Sequence, residues 1–210
     1  MKIEIISVTA LNDGEEMMLT FKIGDDGGRQ EKRKLIIFAE QYFEFGLRRG
    51  KLLDAEEFDK IEEASRRCKA IRKGSDLLSY SASSRVRLVQ RLRSKGIDRD
   101  SATEAAEHLQ KIGAIDERAD VERLVRGDLK KLWGKKRIYS DLCAKGYDRD
   151  IVSAALDDLE GELLVENCKT LIVKRYKRVP EDQDEHKKMI AALVRYGYTY
   201  SEIRQALQKI

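Results

Sequence analysis

Side chains able to do chemistry are plentiful here, but they do not gather. The 210 residues include two histidines, His108 and His186, and three cysteines, Cys68, Cys143 and Cys168. Neither histidine has a Cys, Asp or Glu neighbour at a trustworthy metal-binding spacing, and no CxxC pair exists, so neither a zinc site nor a disulfide framework is supported. Cys143, beside Leu142, reads as a packing residue rather than a nucleophile. Carboxylates are so frequent that no pair stands out, and there is no Walker loop, GxGxxG or GxSxG. The expectation is no catalytic residue, no metal, no cofactor and no enzyme. What does recur is positive charge. Residues 85–95 hold Arg85, Arg87, Arg91, Arg93 and Lys95 without an acidic side chain. Residues 130–137 hold Lys130, Lys131, Lys135, Lys136 and Arg137, and residues 169–178 hold Lys169, Lys174, Arg175, Lys177 and Arg178, again without one. Clusters of this kind are the footprint of a phosphate-backbone partner, and Trp133 and Tyr176 stand among them as rings that bases could stack on.

Composition bounds the elements that must carry these groups. Lys and Arg number 42 against 38 Asp and Glu, a formal net charge of +4, and 38% of residues are charged. With 41% apolar residues and a single proline, that balance points to helices with solvated faces rather than to disorder. No apolar run approaches the roughly 18 residues of a membrane span, and Met1-Lys2-Ile3-Glu4 opens no signal-peptide core. A soluble, cytoplasmic protein in a reducing compartment is expected, with no membrane partner.

Residues 1–53 read as a β-rich head. Ile3, Ile5 and Val8 lead to the turn Asn12-Asp13-Gly14. Met18–Ile23 ends at Gly24, Asp25-Asp26-Gly27-Gly28 turns the chain again, and Lys34–Phe38 forms a third strand. Gly27-Gly28 is a hairpin turn before it is a phosphate loop. A three-stranded meander must pack on something, and the helix starting near Glu40 is the expected cover.

From Asp54 onward the period becomes 3.6, with Phe58, Ile61, Ala64, Cys68 and Ile71 on one stripe. Three segments then align without a gap. Leu92-x-x-x-Gly96-Ile97 is followed by Ala102, Ala105-Ala106 and Leu109; Leu142-x-x-x-Gly146-Tyr147 by Val152, Ala155-Leu156 and Leu159; Leu193-x-x-x-Gly197-Tyr198 by Ile203, Ala206-Leu207 and Ile210. Each glycine sits where a helix ends in the left-handed region, and the apolar residue after it closes the cap. Asp98, Asp148 and Thr199 then stand at N-caps, with Thr199-x-x-Glu202 a capping box. A longer helix precedes each pair, over about 54–79, 117–133 and 162–179, the last ended by Pro180. The fold class is therefore mainly α: three-helix repeats at 54–112, 117–160 and 162–210 in an elongated curved array, plus the small N-terminal β meander.

Several segments carry a family resemblance. Leu77-Leu78-Ser79-Tyr80, Ser84-Arg85 and Leu88-x-x-x-Leu92-x-x-Lys95-Gly96 resemble the opening of the first repeat of RecX regulatory proteins. Gly113-Ala114-Ile115-Asp116-Glu117-Arg118 resembles that family's inter-repeat junction, and Gly134-Lys135-Lys136-Arg137-Ile138-x-x-x-Leu142-x-x-Lys145-Gly146-Tyr147 its central segment. The sequence departs from the family pattern at Ser83, where an arginine is usual, and at Arg87, where an acidic residue is usual. The resemblance implies a modulator of the RecA recombinase that lies in the groove of the RecA–DNA filament and restrains its extension, ATPase and strand exchange. Arg85, Arg91, Arg93, Lys95, Lys130, Lys131, Lys135, Lys136, Arg137, Lys174, Arg175, Lys177 and Arg178 are the expected RecA- or DNA-binding residues, with DNA bound weakly and without sequence preference by a monomer. The residues alone leave open a stand-alone helix-turn-helix-like nucleic-acid-binding regulator. Against it, the second helices are rich in alanine and acid (Ala105, Ala106, Glu107; Asp157, Asp158), and carboxylates repel phosphate.

Overall fold

The computed structural model describes residues 2–24 and 30–210. The expected Asp25-Asp26-Gly27-Gly28 turn lies outside the described residues. Two compact units emerge: residues up to Ser81 with Leu88–Ala114, and Ala82–Arg87 with Ile115–Ile210.

The first unit begins with strands β1 (Lys2–Leu11), β2 (Glu16–Gly24) and β3 (Glu31–Phe38), the short helix α1 (Ala39–Glu44), and a two-residue strand β4 (Leu52–Leu53). They pair antiparallel in the order β3-β2-β1-β4, with a bulge between Ile5 and Ser7. Asn12-Asp13-Gly14 does turn the chain, all three residues having positive φ. Strand β4 was not expected: two residues carry no periodicity, and it is held by main-chain bonds, Ile5 N–H to the Lys51 carbonyl at 3.0 Å and Gly50 N–H to the Ile5 carbonyl at 2.7 Å.

The apolar face of this sheet is closed chiefly by α2 (Ala55–Tyr80), not by the helix at Glu40. Helix α1 buries none of its residues fully, although Tyr42 packs at the margin of the cluster. Ile3, Ile5, Leu19, Phe21 and Ile37 instead meet Phe58, Ile61 and Ala64, with Phe21 and Phe58 edge to face at 5.1 Å. Each such large side chain is worth about 1.5–3 kcal/mol when buried, so the head and α2 share one core. The expected stripe is right; its partner is the sheet. Helix α2 opens on a capping box in which Asp54 accepts from Glu57 N–H at 2.8 Å and Glu57 accepts from Asp54 N–H at 3.2 Å. Its distal half receives α4 (Arg99–Lys111) closely. A Cβ at Gly74 would lie 2.5 Å from Leu109 Cδ1.

Helix α3 (Arg85–Ser94) precedes α4 and is followed in chain order by α5 (Glu117–Lys130), α6 (Lys135–Ala144), α7 (Arg149–Asp157), α8 (Gly161–Tyr176), α9 (Gln183–Arg195) and α10 (Tyr200–Gln208). The second unit holds two apolar clusters. One gathers Val121, Val125, Ile138, Leu142, Val152 and Leu156; the other gathers Val165, Cys168, Ile172, Leu193, Tyr198 and Ile203 among others.

The three glycine turns form as their spacing predicts. Gly96, Gly146 and Gly197 have φ of +82°, +82° and +97°. In each, the glycine N–H bonds to the carbonyl three residues back and the next residue's N–H to the carbonyl five back: Ile97 to Leu92, Tyr147 to Leu142, Tyr198 to Leu193, all at 3.2 Å. That pair of hydrogen bonds is the Schellman cap, and it satisfies helix carbonyls that would otherwise be orphaned. Asp98, Asp148 and Thr199 cap the helices that follow. Helix α8, however, does not run to Pro180. It stops at Tyr176 because Lys177 turns left-handed at φ +63°. Among the described residues, no helix is long and apolar enough to cross a membrane, and no group of His, Cys, Asp and Glu could hold a metal ion.

Candidate interface of stacked cations and aromatics

The second unit contains a seam made by main chain on main chain. Gly134, before α6, donates its N–H to the Tyr196 carbonyl at 2.8 Å, and Lys136 donates to the Gly197 carbonyl at 3.2 Å. A Cβ at Gly134 would sit 2.4 Å from the Gly197 carbonyl carbon, and one at Gly197 would sit 2.5 Å from the Arg137 nitrogen. Only hydrogen fits at either place. The buried Tyr198 hydroxyl adds a bond to the Leu132 carbonyl at 2.9 Å. A related contact joins Ser84, ahead of α3, to the previous glycine turn. Its Oγ donates to the Lys145 carbonyl at 2.8 Å and lies 3.0 Å from where a Gly146 Cβ would be.

This seam draws side chains from α6, α8 and the turns after α5 and α9 into one row. Arg137, in the first turn of α6, lies 4.0 Å from the Trp133 ring centre and 5.1 Å from that of Tyr196. Lys131 lies 4.9 Å from Trp133 on one side, and Arg175, at the end of α8, lies 5.6 Å from Tyr196 on the other. Arg175 also donates to the Tyr196 hydroxyl at 3.1 Å. The sequence Lys131–Trp133–Arg137–Tyr196–Arg175 is thus an alternating ladder of cations and rings. Each contact is worth about 0.5–1 kcal/mol at an exposed site. A guanidinium engaged through its flat face keeps in-plane N–H groups for phosphate or carboxylate oxygens.

Asp128 fixes the near end. It is 2% exposed, accepts from Lys131 Nζ at 2.7 Å, and its carbonyl takes the Trp133 N–H at 3.2 Å. The turn between them places Leu132 at φ +58°, a conformation a leucine rarely adopts. The Tyr198 phenol, buried and near Glu202, is pushed well above the usual tyrosine range, so it stays a hydrogen-bond donor.

Of the thirteen basic residues expected at the interface, the ladder takes Lys131, Arg137 and Arg175. Lys130, Lys136, Lys174, Lys177 and Arg178 lie exposed on the same unit, with Lys135 half-buried. Arg85 also belongs to this unit, where its N–H bonds to Glu117 Oε1 at 2.7 Å. Arg91, Arg93 and Lys95 belong to the other. Arg91 is partly committed there, its guanidinium 3.4 Å from both the Leu77 carbonyl and Ser81 Oγ. Of the two rings expected to stack, Trp133 is in the ladder, whereas Tyr176 packs against the Val165–Ile203 cluster. Tyr196 and Asp128 were missed. A signal for Tyr196 existed: the residue before the turn glycine is Lys95 in the first repeat and Lys145 in the second, but an aromatic in the third.

The would-be recognition helices offer less. Asp98 caps α4 with Asp100 in its first turn, and Asp148 caps α7 with Asp150 likewise, so carboxylates occupy the positions that approach DNA in a helix-turn-helix.

Comparison with known proteins agrees with this architecture. Residues 162–207 match the third three-helix domain of RecX. The chain is 26% identical over 183 residues to the regulatory protein RecX of Clostridioides difficile strain 630, covering 86% of each. It is 30% identical over 137 residues to that of Xanthomonas axonopodis pv. citri strain 306, covering 65% of this chain and 84% of the relative. A crystal structure of a regulatory protein RecX superposes with a TM-score of 0.80 at 21% identity, over 99% of this chain and 100% of that one, a likeness of fold. RecX from Lactobacillus salivarius gives 0.62 at 27% identity, over 70% and 97%. Three-helix repeats, their glycine turns and these relatives together make the chain a member of the RecX family of regulatory proteins.

Proposed function

We propose that this protein binds the RecA–DNA filament along its helical groove and modulates it, chiefly by inhibiting filament extension, ATP hydrolysis and strand exchange. It acts by binding rather than by catalysis, in the cytoplasm and as a monomer. Helices from two or more of the repeats 54–112, 117–160 and 162–210 bridge neighbouring RecA protomers. Lys130, Lys131, Lys135, Lys136 and Arg137, with Lys174, Arg175, Lys177 and Arg178, approach acidic RecA surfaces or DNA phosphates, and Arg85, Arg91, Arg93 and Lys95 extend the contact. DNA alone is bound weakly and without sequence preference, with an affinity that falls steeply with salt.

The observation that carries this reading is the Lys131–Trp133–Arg137–Tyr196–Arg175 ladder, held on a seam where main chain fixes main chain. A preordered row of cations spends little side-chain entropy on meeting a charged polymer. The test is RecA ATPase on single-stranded DNA with and without the protein, repeated with K135E/K136E/R137E. The parent should slow the ATPase at up to equimolar amounts, and the triple variant should inhibit less while keeping its helical circular dichroism. If the variant inhibits as the parent does, the central cluster is not the interface. A parent that leaves RecA unaffected but footprints one short duplex would replace the reading with a stand-alone regulator.

A further inference from the structure

The strand register assigns each residue of the head to one of two sheet faces, because directly opposed residues share a face and successive ones alternate. Ile5, Phe21 and Arg33 are opposed in one row on the face that α2 covers. On the other face, Glu4, Lys22 and Lys32 form one row, Ser7, Thr20 and Lys34 form the next, and Lys2 stands two residues before Glu4 on β1. Lys2, Lys32 and Lys34 are exposed and Lys22 is half-buried. Among the described residues, none of these four lysines makes an ion pair. Arg33, on the covered face, is by contrast neutralised by Glu62 and lies 5.8 Å from the Phe58 ring centre. Among the described residues, the inward cation is paired and the outward lysines are not.

Edge lysines alone would have a simpler meaning, since they prevent sheets from pairing edge to edge. That accounts for Lys32 and Lys34 on the edge strand β3. It does not account for Lys22 on β2, which is interior in the order β3-β2-β1-β4, nor for the placing of Lys2 on the same face, although β4 pairs only with Ile3 and Glu4 and leaves Lys2 past its end.

We infer that this outer sheet face is a second nucleic-acid contact, separate from the ladder, that takes the phosphodiester backbone. Rows two residues apart lie about 7 Å from each other and adjacent strands about 5 Å. The ammonium groups therefore act together across distances near the Debye length of about 8 Å at physiological salt. Thr20 adjoins Lys22 along β2 and Lys34 across on β3, and Ser7 lies next to it on β1, both being hydroxyl donors of the kind that contact phosphate oxygens. Glu4 is the carboxylate in these rows, and the four lysines outweigh it. No aromatic side chain occupies the rows, so bases have nothing to stack on and the contact reads charge rather than sequence.

The experiment measures binding of the full-length protein to a mixed-sequence single strand and to a duplex of the same length, by fluorescence anisotropy across a salt series. Three variants are compared with the parent: K2Q/K22Q/K32Q/K34Q on the sheet face, K131Q/R137Q/R175Q on the ladder, and K69Q/K73Q/K187Q/K188Q as an equal loss of charge elsewhere. The sheet variant should flatten the log–log salt slope by about 3 on the single strand and by nearly 4 on the duplex, at ~0.7 and ~0.9 per phosphate contact. The control should keep the parent slope. A sheet variant that keeps the parent slope overturns the inference, as does a control that flattens it equally. The ladder variant separates the two readings. Parent-like binding by that variant with a flattened slope in the sheet variant discards the ladder as a DNA contact and leaves this inference standing, while the reverse pattern discards this inference alone.

Discussion

Adding one methyl group at each of the three turn glycines should produce a graded loss of stability. All three have φ between +82° and +97°, so alanine is strained at each, by about 1–2 kcal/mol for a side chain in the left-handed region. The stiffer unfolded chain offsets about 0.4–1 kcal/mol of that. Gly96 has nothing within 4 Å of its would-be Cβ, so G96A should cost about 1 kcal/mol. At Gly146 the nearest atom is Ser84 Oγ at 3.0 Å, a hydroxyl that can rotate away at the expense of its bond to the Lys145 carbonyl. G146A should cost about 2 kcal/mol, adding one hydrogen bond of about 1 kcal/mol. At Gly197 the obstacles are the Arg137 nitrogen at 2.5 Å and the Gly134 oxygen at 2.7 Å, both main chain. Relief requires the seam to part, which loses the bonds from Gly134 and Lys136 and brings the total for G197A to about 3–5 kcal/mol. Far-UV circular dichroism during denaturant unfolding reads all three variants, G96A in the first unit included; Trp133, the only tryptophan, adjoins Gly134 and reports the second unit, and exchange of the Gly134 and Lys136 amides reports the seam itself. If G197A costs no more than G96A, the main-chain seam does not carry the load assigned to it.

Three further outcomes follow from the same geometry. Y198F removes the donor to the Leu132 carbonyl at 2.9 Å and should cost about 1–3 kcal/mol by leaving a partly buried acceptor unpaired, read from the midpoint of Trp133-detected unfolding. Burial pushes the thiols of Cys68 and Cys168 up to about 12. Both should therefore remain unmodified by a thiolate-selective reagent at pH 8 in the folded protein, while partly exposed Cys143 reacts first by mass spectrometry. Asp98 is held below the usual aspartate range chiefly by the Ser101 N–H it accepts from at 2.9 Å. Its folded-state pKa is the lower one, so its contribution is present above the usual aspartate value and is lost as pH falls through the lowered one. D98A should cost about 1 kcal/mol at neutral pH, and the gap to the parent should close in acid, measured by urea unfolding at both pH values.

Features with a steric cause were the most legible in the sequence. A glycine, an apolar residue and a capping Asp or Thr in succession can do little but end one helix and start another, and Gly96, Gly146 and Gly197 do so. The stripe from Phe58 to Ile71 was equally plain as a buried face. Its partner was not, because the helix near Glu40 and α2 both follow the strands, and only tertiary packing selects between them. Strand β4 is too short to show a period. Proline at 180 suggested a helix end that Lys177 had already imposed, and Leu132 turns left-handed without a glycine to announce it. All three cations of the ladder, Lys131, Arg137 and Arg175, could be read from charge alone. Their grouping could not, since Tyr196 joins Arg137 only through contacts more than fifty residues apart in the chain.

A joint built from amides and carbonyls recognises shape and ignores side-chain identity. Where Gly134 meets the turn at Gly197, the exposed neighbours on either side can change as long as these two positions stay bare and the buried Tyr198 keeps its hydroxyl. The third repeat is thereby docked by geometry that drift in the surrounding sequence leaves intact, yet a single inserted residue on either side would undo it.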